Sequence, residues 1–464
     1  MSLLKTSLLL TPLVLLARGA AFAVPVLLAG WFGIDPRMDA FYYALGVPTF
    51  LLVVATSALS TVLIPLLAER PGLALGSLAA SIGAAAAAIG VGMAALLGPL
   101  LPVLTAFSAE TRSQTSTFAW ALVPFVAVTA TAAVLRNGCE VEGRFSVASL
   151  GPLFRALGTL VVAGLLRERG PEMLPVAMAL GTGTEALWYA TWLGPRLGPL
   201  PEGLWSRLWL VLPVFGGEAL VATNPLVDRA FAATLAGGSV TMLEYADKVR
   251  LAPQTLLEST LVVVAFSTWA KLPSTDRKGA VEQGLRQVLL LAPPILAGLA
   301  VGSLPLVRLL FERGAFDPAA VGPLAQAVAA FMPGVLGTLV GVLLVKAHVL
   351  AGRYELVFLL GLGSSLLNAA LNALLGPQFG VVGIAGATSI STTLVALVAW
   401  GLWVQREGGG GAWLRPLSAA AVSFLLGALL WRLQPTSIAD PRLWLAAVPL
   451  LGMLGLGVRW GGRL

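Results

Sequence analysis

Seven charged residues stand inside stretches that are otherwise apolar: Arg18, Arg155, Glu185, Glu218, Asp228, Arg229 and Glu258. At the centre of a membrane-spanning helix each such group costs about 2.5–3.5 kcal/mol on insertion scales. Each needs a structural partner, or a substrate or ion that uses it. One candidate set is rich in oxygen. Asp228 follows Pro213, Gly216-Gly217 and Asn224-Pro225, and proline and glycine in a span free backbone carbonyls. Asn368 and Asn372 are spaced i, i+4 and share a helix face. Thr388, with Ser389 beside it, adds hydroxyl oxygen. Asp228, Asn368, Asn372 and Thr388 would form a one-carboxylate site for a small hard cation such as sodium. Asparagines that only hold helices together are the plainer alternative, and the residues leave both open.

The second set is cationic. Arg18, Arg155, Lys248 and Arg250 around one cavity would suit a phosphate-bearing substrate, with arginine giving bidentate contacts. Interfacial anchoring is the competing account of Lys248 and Arg250. Asp39 and Asp247 lie near span ends, as gating partners for these cations or as solvated groups. Glu258 joins the substrate-facing candidates as a costly in-span carboxylate.

Other chemistries are excluded by what the chain lacks. One cysteine, Cys139, and one histidine, His348, allow neither an internal disulfide nor a thiolate or imidazole metal site. There is no Gly-x4-Gly-Lys-Ser/Thr loop to hold ATP, and no Ser/His/Asp arrangement, so neither an enzyme nor a resident cofactor is expected. The net charge of +7 comes from basic residues spread singly through short loops. That pattern reports membrane orientation and gives nucleic acid no binding stripe.

The elements that must carry these residues follow from composition. Of 464 residues 58% are hydrophobic and 11% charged, against about 25% charged in soluble domains. Apolar runs of about 20 residues match helices crossing a hydrocarbon core and are too long for barrel strands. The expected fold is therefore an all-α polytopic membrane protein of about fourteen spans. They lie near 8–33, 40–67, 73–98, 115–135, 147–166, 174–194, 208–235, 249–270, 286–310, 321–345, 356–375, 381–404, 414–432 and 443–460. Lys5, an apolar stretch and Ala21-Phe22-Ala23 mimic a signal peptide, but Arg18 inside the apolar region favours an uncleaved first span. The excess of basic residues places the N-terminus in the cytoplasm.

The chain also repeats itself. Met38-Asp39 to Pro48 aligns with Leu243-Glu244 to Pro253, Gly33 with Gly238, Gly143-Arg144-Phe145 with Gly352-Arg353-Tyr354, and Gly181-Thr182 with Ala387-Thr388. An offset near 205 residues covers six spans, an even number, so the expected lobes are two parallel six-helix units, 1–200 and 201–407. The glycine run Gly408–Gly411 sets off 408–464, spans thirteen and fourteen, as an appendix.

With these residues in view the chain resembles lipid II flippases of the MurJ (MviN) type. The likeness is carried by Met38-Asp39-Ala40-Phe41-Tyr42, Asp228-Arg229-Ala230-Phe231-Ala232, Glu244-Tyr245-Ala246-Asp247-Lys248 and Asn368 to Asn372 before Gly380-Val381-Val382-Gly383-Ile384-Ala385. Its most specific element is Leu310-Phe311-Glu312-Arg313-Gly314-Ala315-Phe316. The resemblance implies two lobes rocking around a central cavity, a groove in spans thirteen and fourteen for an undecaprenyl tail, and a polyprenyl-pyrophosphate-linked saccharide as substrate. It places cation ligands on Asp228, Asn368, Asn372, Ile384 (through its carbonyl) and Thr388, with Asn372 replacing a frequent aspartate. The chain departs from the family at Val24-Pro25, where an Arg-Asp pair is usual. It departs again at Val47-Pro48-Thr49-Phe50-Leu51-Leu52-Val53, where Leu-Pro-Asn-Leu-Leu-Arg-Arg is usual, and Lys248 stands where arginine is common. Two substrate-contacting arginines are thereby missing.

The expected function is a flippase, a monomer in the bacterial cytoplasmic membrane among membrane lipids, driven by sodium, proton or membrane potential. Its cargo is lipid II or a related lipid-linked glycan. The alternative is a cation-coupled small-molecule exporter of the MATE-like type, which needs no fourteen spans. A membrane scaffold that has lost transport is a third reading, against which the costly Asp228 and Glu258 argue.

Overall fold

A computed structural model describes residues 3–69, 74–200, 223–269, 272–408, 414–433 and 435–461. Every regular element among them is helical, as lipid demands of backbone groups that find no water to bond. The chain runs α1 (Leu3–Phe32), α2 (Pro36–Glu69), α3 (Leu75–Leu104), α4 (Ala109–Ala121), α5 (Val123–Val141), α6 (Phe145–Leu165), α7 (Leu174–Leu193) and α8 (Asn224–Ala232). There follow α9 (Ser239–Leu257), a π-turn (Glu258–Val262), α10 (Val263–Trp269), α11 (Ser274–Val301), α12 (Ser303–Phe311), α13 (Val321–Leu350), α14 (Tyr354–Glu407), α15 (Leu414–Trp431) and α16 (Pro441–Gly461). Among the described residues seven helical stretches are long and apolar enough to cross a membrane, from Pro12–Phe32 to Tyr354–Glu407.

Local chemistry sets the boundaries. Ser108 caps α4 by accepting from Thr111 N–H at 3.1 Å, and Asp440 caps α16 by accepting from Arg442 N–H at 3.0 Å; both satisfy orphan first-turn donors. The Arg442 side chain and two backbone N–H groups hold the Asp440 carboxyl well below the usual carboxylate range. Prolines 124, 175 and 225 open α5, α7 and α8, where a missing N–H costs nothing.

Several spans differ from the apolar runs. The run 115–135 is two helices parted at Leu122, and 286–310 is two parted at Gly302. The runs 356–375 and 381–404 form one helical stretch with a break at Gly380, whose φ of 60° is left-handed. The eighth span begins at Ser239, ten residues before its apolar run. That first stretch carries Glu244, buried but ion-paired one turn on with Lys248 at 2.7 Å, so the charges join the helix.

The chain forms two compact units, Met1–Thr241 and Met242–Leu464. The first is cored by Leu63, Leu78, Ile82, Val134, Cys139 and Tyr189. The second is built on α13 packed against α14, with α11 against α13, α15 and α16. Leucines 96, 165 and 425 remain largely exposed, as expected of surfaces that meet hydrocarbon chains.

Candidate functional site

Each sequence-predicted cation has a definite setting. Arg18 is exposed on α1. Arg155 of α6 meets Glu185 of α7 at 3.4 Å, and Glu185 is buried while Arg155 is 40% exposed. Tyr189, one turn further along α7, donates its hydroxyl to Glu185 Oε1 at 2.9 Å. Two in-span charges thus answer each other inside the first unit, an arrangement that keeps a buried carboxylate from standing alone. Lys248 is held by Glu244, as above. Arg250 bonds Asp247 at 2.5 Å and Gln254 at 2.6 Å, and lies over the Phe331 ring at 5.3 Å. Glu258 is half-buried and opens the π-turn between α9 and α10, a geometry frequent at functional sites.

Asp39 is not a solvated group. It is 1% exposed and accepts three hydrogen bonds, from Gly238 N–H (2.6 Å), Thr241 N–H (2.8 Å) and Thr241 Oγ1 (2.6 Å). It ties the first turn of α2 to the first turn of α9. Arg229 of α8 lies along α2, where a Cβ at Gly46 would come within 3.1 Å of its Cδ. Glu218, Pro213 and Gly216-Gly217 lie outside the described residues.

The oxygen set divides between the units. Asn368, Asn372, Ile384 and Thr388 all belong to α14 in the second unit, and all are buried. Asp228, buried on α8, belongs to the first. The two halves of α14 run antiparallel across the Gly380 break: a Cβ at Gly383 would meet the Leu375 carbonyl, one at Gly376 would touch Ile384, and Ser391 Oγ donates to Asn368 Oδ1 at 3.4 Å. That register sets Asn372 level with Thr388. Thr388 Oγ1 donates to the Ile384 carbonyl at 3.2 Å. The α14 donors are amide, hydroxyl and carbonyl oxygens, without sulfur or imidazole, and they suit a hard cation. Among the described residues no cluster of three His, Cys, Asp or Glu side chains could hold a transition metal.

Sequence reasoning missed Tyr189, Gln254 and Ser391. Ser391 was signalled by its i, i+3 spacing from Thr388 on one face; Tyr189 and Gln254 carry no signal beyond being one turn from a charge. The motif from Leu310 to Phe316 is accounted for by packing. Phe311 and Phe316 cluster with buried Tyr245, their ring centroids 5.4 and 6.3 Å from its own, Arg313 returns to the Leu309 and Leu310 carbonyls, and Gly314 takes a positive φ.

The chain's likenesses agree with one another. The family model for the lipid II flippase MurJ matches residues 28–437. A probable lipid II flippase MurJ of Vibrio cholerae is 26% identical over 98% of this chain and 94% of its own length. The lipid II flippase MurJ of Burkholderia cenocepacia is 24% identical over 75% of this chain and 72% of its own. Among solved structures, a lipid II flippase MurJ in an inward closed conformation superposes with a TM-score of 0.81 at 19% identity, covering 98% of both chains. An inward-facing multidrug resistance MATE family transporter of the MOP superfamily gives 0.67 at 16% identity, over 88% of this chain and 95% of that one. The two superpositions speak to fold.

Proposed function

This chain belongs to the lipid II flippase MurJ family, and on that premise we propose that it moves a polyprenyl-pyrophosphate-linked saccharide, lipid II or a related glycan, across the bacterial cytoplasmic membrane. The observation that carries the reading is the family match running through nearly the whole chain, residues 28–437. Movement is by alternating access of two six-helix lobes, 1–200 and 201–407, with 408–464 appended and the N-terminus in the cytoplasm. The working unit is one chain.

The residues divide the work by charge. A pyrophosphate carries negative charge into the membrane, and Arg18, Arg155, Lys248 and Arg250 are the groups available to meet it. Lys248 and Arg250 are already held by Glu244 and Asp247. Substrate must then compete with these carboxylates, which makes binding weak enough for release on the far side. The departures at Val24-Pro25 and Leu52-Val53 remove further positive charge, and favour a headgroup that recruits fewer arginines than lipid II. Asp39 fixes the start of α2, and Glu258 sits where the helix register changes.

Sodium is the coupling ion that the α14 oxygens fit. Asn368, Asn372, the Ile384 carbonyl and Thr388, all of the second unit, would hold it.

The test is native mass spectrometry of purified protein offered lipid II, other polyprenyl-pyrophosphate saccharides and ordinary phospholipids, with Arg18→Ala in parallel. Selective retention of a pyrophosphate-linked species, weakened in the variant, is expected. Equal retention of every lipid by both proteins would sink the reading and favour a small-molecule exporter.

A further inference from the structure

Within the second unit, α13 contains Pro333, which has no N–H to offer the Ala329 carbonyl one turn back. At the next residue the Gly334 N–H donates to Ser389 Oγ at 3.1 Å, and the same Oγ donates to the Ala330 carbonyl at 2.6 Å. Ala330 is the acceptor that Gly334 would use in an uninterrupted α-helix. The Ser389 hydroxyl, on a residue 5% exposed, therefore bridges the donor and the acceptor of one rung of its neighbour's ladder. Side-chain insertion and proline are two of the few established causes of a helix bend, and here they fall on consecutive residues. The insertion requires glycine: a Cβ at Gly334 would lie 2.6 Å from Ser389 Oγ and 2.7 Å from its Cα. Thr392 Oγ1 reaches the Gly334 carbonyl at 3.3 Å from the next turn.

The internal repeat supplies an independent contrast. Pro124 precedes Pro333 by the same offset as Gly143 precedes Gly352. There the span is simply cut at Leu122, between α4 and α5. Gly183 occupies the place of Ser389, by the offset that aligns Gly181-Thr182 with Ala387-Thr388, and a Cβ on it would meet nothing within 4 Å. One proline is handled as an open break, the other as a rung held by a hydroxyl from the adjacent helix.

We propose that Ser389 is a hinge pin, a positioning residue whose hydroxyl keeps α13 able to flex at Pro333 and fastens that point to the half of α14 bearing Ile384 and Thr388. The consequence for transport rests on the flippase reading: rearrangement at the α14 oxygens is passed to α13 through the adjoining Ser389. The pin itself does not depend on that reading.

The experiment uses the full chain in lipid nanodiscs, with Cys139→Ala and nitroxide labels on Gln326→Cys and Ala351→Cys at the exposed ends of α13. At ~1.5 Å per residue a straight helix would separate these positions by ~37 Å. Double electron–electron resonance should give a shorter, broader distribution for this background. Ser389→Ala, which leaves the Gly334–Ala330 rung to the backbone alone, should narrow the distribution and move it toward the straight value. Ser389→Gly serves if the alanine variant does not fold, and Ser389→Thr, which keeps the hydroxyl, should stay with the parent. A distribution unmoved by loss of the hydroxyl overturns the pin. In a lipid-flipping assay the hydroxyl-less variants should lose turnover while retaining lipid binding. If the parent protein moves no lipid-linked saccharide, the flippase reading fails and the distances still decide the pin.

Discussion

The two sequence repeats share their turn glycines and have spent their buried polar groups differently. Positive-φ glycines recur in pairs, Gly33 with Gly238, Gly143 with Gly352, Gly170 with Gly380 and Gly194 with Gly408, at offsets of 205 to 214 residues. Gly143 and Gly352 end α5 and a turn of α13 alike: Arg144 N–H returns to the Cys139 carbonyl at 2.8 Å, and Arg353 N–H to that of His348 at 2.9 Å. Both arginines then reach across to the end of a later helix, Arg144 to the Trp192 carbonyl and Arg353 to the Glu407 carboxylate. At the next helix pair the likeness stops. The first unit joins α6 and α7 through Arg155 and Glu185, whereas the second joins the halves of α14 through neutral oxygens, Asn368 with Ser391. At the offset of Gly143 and Gly352, Thr159 and Ala163 stand where Asn368 and Asn372 stand. An ion pair makes a lobe self-sufficient; a set of neutral buried oxygens leaves room for a cation to improve on it.

The sharpest way to break this comparison is at the oxygens. Asn368→Ala removes a proposed ligand and should lower sodium affinity by at least the ~10–100-fold that loss of a group merely supporting a ligand costs, with the loss read by isothermal titration. An unchanged affinity would return the asparagines to helix packing. The counterpart in the first unit is Glu185→Ala, which strands Arg155 and should cost about 1–3 kcal/mol of stability. That is less than for a fully buried pair, because Arg155 is 40% exposed. Adding Arg155→Ala should recover part of the loss in thermal melts, and sodium affinity should not move. No recovery in the double variant would mean that the two charges act separately.

Smaller effects should follow at the arginine latches. Arg353→Ala removes an ion pair with Glu407 whose side chains are 18% and 31% exposed, and Arg144→Ala removes the Trp192 carbonyl bond with an ion pair to Glu142 whose side chains are 40% and 46% exposed, so the less screened second-unit latch should lose more, about 1.5 against 0.5–1 kcal/mol. Equal losses would say that the deeper burial of the Arg353 pair adds nothing. The smallest effect belongs to Asp440. Its folded pKa lies below the unfolded value, so its contribution is complete above the ordinary carboxylate range and fades as pH falls through the folded value. Wild-type melting should be insensitive to this group from pH 5 to 8, and Asp440→Asn should melt slightly earlier throughout that window. A difference between the two proteins that grows with pH above 5 would contradict the assignment.

How much of this was legible beforehand is clearest residue by residue. Apolar run length and the scarcity of charge determined an all-helical membrane chain, because hydrocarbon permits only backbones that satisfy themselves. The glycine turns at 33/238 and 143/352 disclosed the repeat, since a left-handed turn tolerates few other residues. The pairs 170/380 and 194/408 escaped notice because their flanking residues differ, and only the backbone gives them one conformation. Asn368 and Asn372 were found by i, i+4 spacing, a local rule. What tertiary structure alone decided was pairing. Arg155 and Glu185 lie 30 residues apart, and Asp39 reaches Thr241 across 202. Whether a buried charge is answered or left for a ligand depends on which helix packs beside it. Hydrophobic periodicity selects the face of a helix and leaves its neighbour unspecified; close packing of particular side chains, such as Ser389 into Gly334, makes that choice.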